Sequence, residues 1–254
     1  MSDEALLSID GLTVRFGGLT AVDDLSFQVR RGRIHALIGP NGAGKSTTFN
    51  CISRYYDPTG GSISLEGQDI TRHGAAHMAA LGVARTFQNL ELFGELSVEE
   101  NVLLGTYAYG ARGLGRLLRR PAAGNRELAH HLLERVGLVD VLDAKANSLD
   151  FGRQKMLELA RALAIKPRLL LLDEPAAGLR NREIDKLDGI LSELATREGV
   201  TVLLVEHVMQ LVMSISDRIT VMSFGHKIAE GTPAQIRSDE RVIEAYLGKG
   251  ADHE

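Results

Sequence analysis

Residues 34–50 read IHALIGPNGAGKSTTFN: a short, mostly apolar run, a loop of the form GxxxxGKS, and sequence suited to a helix from Lys45. No other stretch constrains the chain as tightly. A loop built from Gly39, Pro40, Asn41, Gly42, Ala43 and Gly44 can turn backbone N–H groups inward, because glycine reaches positive φ cheaply and has no β-carbon to hold an anion away. The following helix adds unpaired N–H groups and the positive end of its dipole. Lys45 can then reach the β and γ phosphates, and the Ser46 hydroxyl can ligate Mg2+. The spacing predicts a strand over 34–38, an anion cradle, and a nucleoside triphosphate with its metal as ligand. A glycine-rich turn without a ligand is the competing reading, and the strand before it and helix after it weigh against that.

Length and composition set the frame around this loop. At 254 residues the chain can bury a sizeable core as one large domain or two small ones. Its 44% apolar and 24% charged residues are ordinary for a globular protein, and a net charge of −4 gives no reason to expect nucleic acid as the main partner. The single cysteine, Cys51, cannot form an internal disulfide and reads as a buried, inert thiol in a reducing compartment. No secretory h-region follows Met1, and no apolar run is long enough to span a bilayer. If the protein serves a membrane process, another chain is expected to do the crossing.

Along the chain, LLSID, LTVRF and DLSFQVR read as short strands separated by turns, and Ser62 to Glu66 as another strand. Phe16, just before the Gly17–Gly18 pair, reads on its own as a core or edge-strand aromatic. From Ser97 to Lys166 the spacing is helical, with Leu128, Leu132, Leu133 and Val136 on one face. Within it, residues 107–126 are Gly-rich and carry Arg112, Arg116, Arg119, Arg120 and Arg126, best read as a solvated basic loop. His130 and His131 are adjacent, so a helix would point them apart and they do not suggest a metal site. Beyond it, LLLLDEP and TVLLVEH alternate with an amphipathic helix bearing Ile184, Leu187, Leu191 and Leu194, and a further strand is expected at Arg218 to Met222. Such alternation implies a buried parallel sheet covered on both faces, closed by a short helical tail.

Two strand ends carry chemistry. Asp173, at the carboxyl end of LLLLDE, sits at the edge where open α/β sheets bind ligands, and an acid there can hold Mg2+ opposite Ser46. Glu174, one residue on, can orient or deprotonate an attacking water. His207 closes another apolar strand; a lone histidine there is usually structural, but a contact to the γ phosphate fits the same edge.

Taken in order, GPNGAGKS, Gln88, LDFGRQKMLELARAL, LLLLDEP and VEH resemble the nucleotide-binding subunit of an ABC transporter over almost the whole chain. RFGGLTAVDDLSF, RTFQNLELF, DEPAAGL and the ending EGTPAQIR…VIEAYLG are similar, more narrowly, to the ATP-binding subunits of branched-chain amino acid importers. The resemblance implies an α/β P-loop NTPase of RecA-like type, with a mostly parallel sheet core, an N-terminal antiparallel β subdomain and an inserted α-helical subdomain. It implies a single ATPase domain over 1–254, with a nucleotide-binding core at 1–93 and 167–235, a helical insertion at 94–166 and a C-terminal cap at 236–254. It implies ATP and Mg2+, and a cytoplasmic location on the inner face of the membrane. The implied partners are permease subunits, a second related ATPase subunit or a second copy, and an extracytoplasmic binding protein.

By position, the resemblance makes Phe16 the adenine stacker and Gly39 to Thr47, Thr47 included, the phosphate loop. Gln88 becomes a sensor of metal and water, Asp173 the Mg2+ residue, Glu174 the residue that acts on water and His207 the γ-phosphate contact. Leu149, Asp150, Gly152 and Arg153 become the segment that closes over ATP held by the partner. The same motor serving another cargo, such as amides, urea or lipid export, and a slow-turnover ATP-dependent clamp are the alternatives. A GTPase is disfavoured by the lack of an NKxD stretch, and a DNA-repair ATPase by the acidic balance and lack of long heptads.

Two residues depart from the family pattern: Arg180 stands where an acidic or amide residue is common, and Asp150 where the family has serine. A carboxylate near a γ phosphate is repelled by up to about 4 kcal/mol at roughly 4 Å and an effective dielectric of about 20. Asp is also a good N-cap, so Asp150 is read as bonding its own backbone while Gly152 N–H and Arg153 face the phosphate. With Lys45, Glu174 and His207 present, the expectation is two unequal sites in a heterodimer. Asp150→Ser in the assembled complex should then raise ATP turnover; an unchanged or lower rate counts against a weakened signature.

Overall fold

The computed structural model describes residues 4–107 and 123–247, so Arg112, Arg116, Arg119 and Arg120 of the basic segment, and the last seven residues, lie outside the described residues. The phosphate loop joins β3 (Ile34–Ile38) to α1 (Lys45–Ile52), both as the sequence predicts. Around them run β1 (Ala5–Phe16), β2 (Leu19–Arg30), β4 (Gly60–Leu65), β5 (Gln68–Asp69), α2 (Ala75–Met78) and β6 (Val83–Arg85). A helical stretch follows with α3 (Val98–Tyr107), α4 (Ala123–Val136) and α5 (Phe151–Leu163). The second half alternates β7 (Leu169–Asp173), α6 (Asn181–Thr196), β8 (Thr201–Val205), α7 (Met209–Ile215), β9 (Arg218–Ser223) and β10 (His226–Gly231), and ends in α8 (Pro233–Arg237) and α9 (Glu240–Leu247).

The strands form two sheets, a six-stranded one of order β10-β9-β3-β8-β7-β6 and a four-stranded antiparallel one of order β2-β1-β4-β5. Within the larger sheet only the β10–β9 pair is antiparallel. Each residue of β3, β7 and β8 is buried, as expected for parallel strands packed on both faces. Alternation decides which face receives which side chain. Ile34, Ala36, Ile38, Leu170, Leu172, Val202 and Leu204 join the core under the helices. Leu37, Leu169, Leu171, Leu203 and Val205 join a second core with Phe49, Ile52 and the antiparallel sheet. The cover on that second face is therefore largely β-structure with α1, in keeping with the expected antiparallel β subdomain.

Two strand expectations change. LLSID and LTVRF are one strand, β1, because Gly11 (φ 58°) makes a bulge and not a turn: its N–H donates to Ser26 Oγ at 2.8 Å and pairing with β2 resumes beyond it. Likewise β2 begins at Leu19, directly after the glycine pair, and not at Asp24. The short β6 and the polar edge strand β10 carry too little apolar alternation to be read from sequence.

His35 of β3 lies inside this arrangement, its Nε2 2.8 Å from Thr220 Oγ1 and its ring 5.3 Å from that of Phe27. Burial pushes its pKa from 6.5 down to about 4. Above pH 6.5 both folded and unfolded chains hold a neutral ring, so His35 adds no pH dependence there. As pH falls below 6.5 the unfolded state binds a proton that the folded state refuses, and stability drops until about pH 4. Between pH 7 and 5 the parent should lose about 2 kcal/mol more than His35→Gln, measured by denaturant unfolding at each pH.

Candidate nucleotide site

The loop is held from two sides. A β-carbon on Gly39 (φ 152°) would collide with the Met222 carbonyl of β9, and one on Gly44 (φ 98°) with the Ala21 carbonyl of β2. Only a bare backbone fits between those strands. Inside the turn the Ala43 N–H donates to the Pro40 carbonyl at 3.2 Å, while Asn41 and Ser46 are exposed and Thr47 is half-buried. Lys45 is buried, and its Nζ donates to the carbonyls of Gly39 (2.7 Å) and Pro40 (2.9 Å). Desolvation lowers its pKa, against the pull of the Glu174 and Asp173 carboxylates.

Above the loop opens a cleft of about 640 Å³, lined by Phe16, residues 41–47, Gln88, Glu174, His207 and Phe224. Its size falls within the range of roughly 300–1,000 Å³ usual for small-molecule sites. Phe16 is 47% exposed at the rim, its ring braced edge-on by Tyr56 at 5.5 Å. Glu174 also lines the cleft, with both oxygens engaged: Gln88 Nε2 donates to Oε2 at 3.2 Å and His207 Nε2 lies 3.0 Å from Oε1. Residues far apart in sequence thus meet at one carboxylate.

Asp173 is buried and does not line the cleft. Burial raises its pKa, opposed by the Arg85 guanidinium, whose Nη2 is 3.0 Å from Oδ2. The other oxygen, Oδ1, is buried without a hydrogen-bond partner among the described residues. An orphaned carboxylate oxygen fits a divalent cation, which Asp173 and Ser46 would hold.

The strand end behind Glu174 depends on a residue that sequence reasoning passed over. Glu206 is 1% exposed, and its carboxylate accepts from the N–H groups of Ala176 (2.6 Å), His207 (2.7 Å) and Val208 (2.9 Å). It stands between β8 and His207, so His207 follows the strand at two residues' distance and does not end it. The Glu174 N–H meanwhile donates to the Val205 carbonyl at 2.9 Å, with Glu174 held at φ 50°, an uncommon conformation for a non-glycine residue.

Leu149, Asp150, Gly152 and Arg153 do not line this cleft. They lead into α5, where Asp150 is the N-cap and its Oδ1 accepts from the Arg153 N–H at 2.9 Å. Arg153 Nη2 is 3.3 Å from Asp140 Oδ2, and Gly152 packs beneath the carboxylate of Glu183. Glu183 in turn accepts from the N–H of exposed Arg180 at 2.7 Å. The side chain of Lys155, buried in α5, reaches back to the carbonyls of Gln88 (3.4 Å) and Glu174 (3.5 Å).

Residues 22–177 match the family model described as ABC transporter, and residues 226–252 that described as branched-chain amino acid ATP-binding cassette transporter. The chain belongs to the ABC transporter family. It is 45% identical over 250 residues to the high-affinity branched-chain amino acid transport ATP-binding protein BraF of Pseudomonas aeruginosa, covering 96% of this chain and 98% of that one. It is 44% identical over 252 residues to the ATP-binding protein LivG of Escherichia coli strain K12, covering 97% and 99%. The fold is similar to the ADP conformation of an ATP-binding cassette of an ABC transporter, with a TM-score of 0.85 at 32% identity over 97% of this chain and all of the other.

In this cassette Glu206 and Arg85 escaped the sequence reading because each is one charged residue beside an apolar run, indistinguishable there from a surface charge. Their burial arises only when β6, β7 and β8 come together. Glu206→Gln places an amide NH2 against at least one backbone N–H. It should cost about 2 kcal/mol of stability and lower ATP turnover, read by thermal melting and phosphate release.

Proposed function

We propose that this ABC cassette binds and hydrolyses ATP to drive an importer for branched-chain or similar amino acids. The carrying observation is Glu174 held by Gln88 and His207 at the mouth of the phosphate loop. It occurs in a chain 44–45% identical, over nearly its whole length, to transport ATP-binding proteins of that class. No helix among the described residues is long and apolar enough to cross a membrane, which supports a peripheral subunit working beneath permease chains at the cytoplasmic face. An extracytoplasmic binding protein would deliver the cargo.

In this reading Phe16 stacks on the adenine, and backbone N–H groups within residues 41–47 with the Lys45 ammonium hold the phosphates. Mg2+, held by Ser46, Asp173 and Gln88, would neutralise charge on the β and γ oxygens. Glu174 takes a proton from water as the water oxygen attacks the γ phosphorus and the β–γ bridging oxygen leaves with ADP. Because both Glu174 oxygens are already engaged, its carboxylate is aimed before the reaction begins. His207 steadies it and contacts the γ phosphate.

Segment 149–153 does not line its own cleft, which supports ATP on a second ATPase subunit as its ligand. Two half-sites close on two nucleotides, and loss of the γ phosphate releases them. The core at 1–93 and 167–235 carries the nucleotide, and the helices of 94–166 carry the motion to the permease through Gln88 and Lys155. A slow-turnover clamp is the second reading, favoured by the carboxylate of Asp150 at the signature; ATPase assays with and without the membrane partners separate the two.

In the assembled complex Glu174→Gln should bind Mg-ATP as the parent does while turnover falls at least about 100-fold. Lys45→Ala should weaken Mg-ATP binding tenfold or more, by about 1.4 kcal/mol or above. Turnover that survives Glu174→Gln, or parental binding by Lys45→Ala, would overturn the mechanism. Leucine, isoleucine or valine delivered to reconstituted vesicles should raise turnover; stimulation by another cargo alone would reassign the substrate.

A further inference from the structure

Arg85 ends β6, three residues before Gln88, and its side chain is 8% exposed. Its guanidinium reaches three separate parts of the site. Nη2 is 3.0 Å from Asp173 Oδ2, and Nη1 donates to Asn50 Oδ1 (2.8 Å) and Ser53 Oγ (2.6 Å) at the far end of α1. The rings of Phe49, Tyr55 and Phe87 surround it, with centroids 5.8, 5.7 and 5.0 Å from Cζ. A buried ion pair of this kind is a poor source of stability, since desolvating two charges costs about as much as their attraction returns. Nor is the pair fully satisfied: Arg85 Nε and Asp173 Oδ1 are both buried without partners among the described residues. A purely structural network would be expected to close those positions.

We propose that Arg85 is a positioning residue for the metal: by occupying Oδ2 of Asp173 and bracing it against α1, it leaves Oδ1 as the oxygen presented to Mg2+ at the phosphate loop. This deepens the ATPase reading above and rests on it. Arg85 touches neither nucleotide nor metal. A planar fork suits the task because two of its nitrogens point in fixed directions, one at Asp173 and one at the helix that carries Ser46. A lysine offers one mobile point charge and cannot hold both. The stacked ring of Phe87, whose N–H donates to Glu158 Oε1 of α5 at 3.1 Å, adds the segment leading to Gln88 to the same brace.

The test compares parent, Arg85→Met and Arg85→Lys, using a fluorescent ATP analogue first in EDTA and then titrated with Mg2+ or Mn2+. Arg85→Met strands the buried Asp173 carboxylate and should melt below the parent, yet it should bind metal-free analogue as the parent does and need roughly 10- to 100-fold more metal for the metal-dependent change in binding. In the complex, kcat should fall and recover partly at high metal, with little change in KM for ATP. Arg85→Lys should shift the metal requirement in the same direction and by less, and it keeps the charge should Arg85→Met fail to fold. Parental metal dependence in a folded variant, or equal weakening with and without metal, would overturn the proposal. A parent that does not bind the analogue at all would instead overturn the ATPase reading.

Discussion

The phosphate loop is wedged between β9 and β2, so closely that neither Gly39 nor Gly44 has room for a methyl group. Both sheets depend on that contact. β3 delivers the loop from the middle of the parallel sheet, and the loop backbone touches the β9 carbonyl beside it and the Ala21 carbonyl of the antiparallel sheet opposite. The turn at Gly225 extends the seam, its N–H donating to the Ala43 carbonyl and its own carbonyl accepting from the Asp23 N–H. An anion cradle built largely of backbone N–H groups must be rigid to be selective, and here rigidity comes from backbone packed on backbone.

On the far side of the cleft the same need is met with charge. Glu206 gathers three N–H groups that a strand end would otherwise leave open, and thereby sets the turn after Glu174 and the start of the segment bearing His207. Arg85 does the corresponding work for Asp173. Each is a buried charged side chain whose partners fix its direction, so that its removal both costs stability and disturbs the site. The helical half of the molecule is tied to this end by Lys155 of α5, so a shift of that helix is felt at the carbonyls of Gln88 and Glu174.

Asp150 illustrates how a local rule can decide between two readings of one residue. As a ligand of phosphate it would be repelled; as an N-cap it is favoured, and its carboxylate does bond the Arg153 N–H. Its neighbours depart from the expectation that they face a phosphate: Gly152 is buried beneath the Glu183 carboxylate, and Arg153 pairs with Asp140.

The sequence by itself determined the elements whose patterns are local: β3, the GxxxxGKS loop and α1, the apolar strands β7 and β8, and the amphipathic faces of α4 and α6. Each rests on a spacing within ten or so residues, which is the range over which strand and helix periods and turn chemistry act. It also brought Glu174 and His207 forward from their places at apolar strand ends, and Gln88 only through the order of motifs along the chain. What the tertiary structure alone decided were the long-range matters. Gly11 is a bulge because β2 and β4 flank β1, the second face of the parallel sheet is covered by strands, and Glu206 and Arg85 become buried anchors because strands distant in sequence close around them. A charge beside an apolar run carries no mark of its eventual burial; that is settled only by which strand lies next to it.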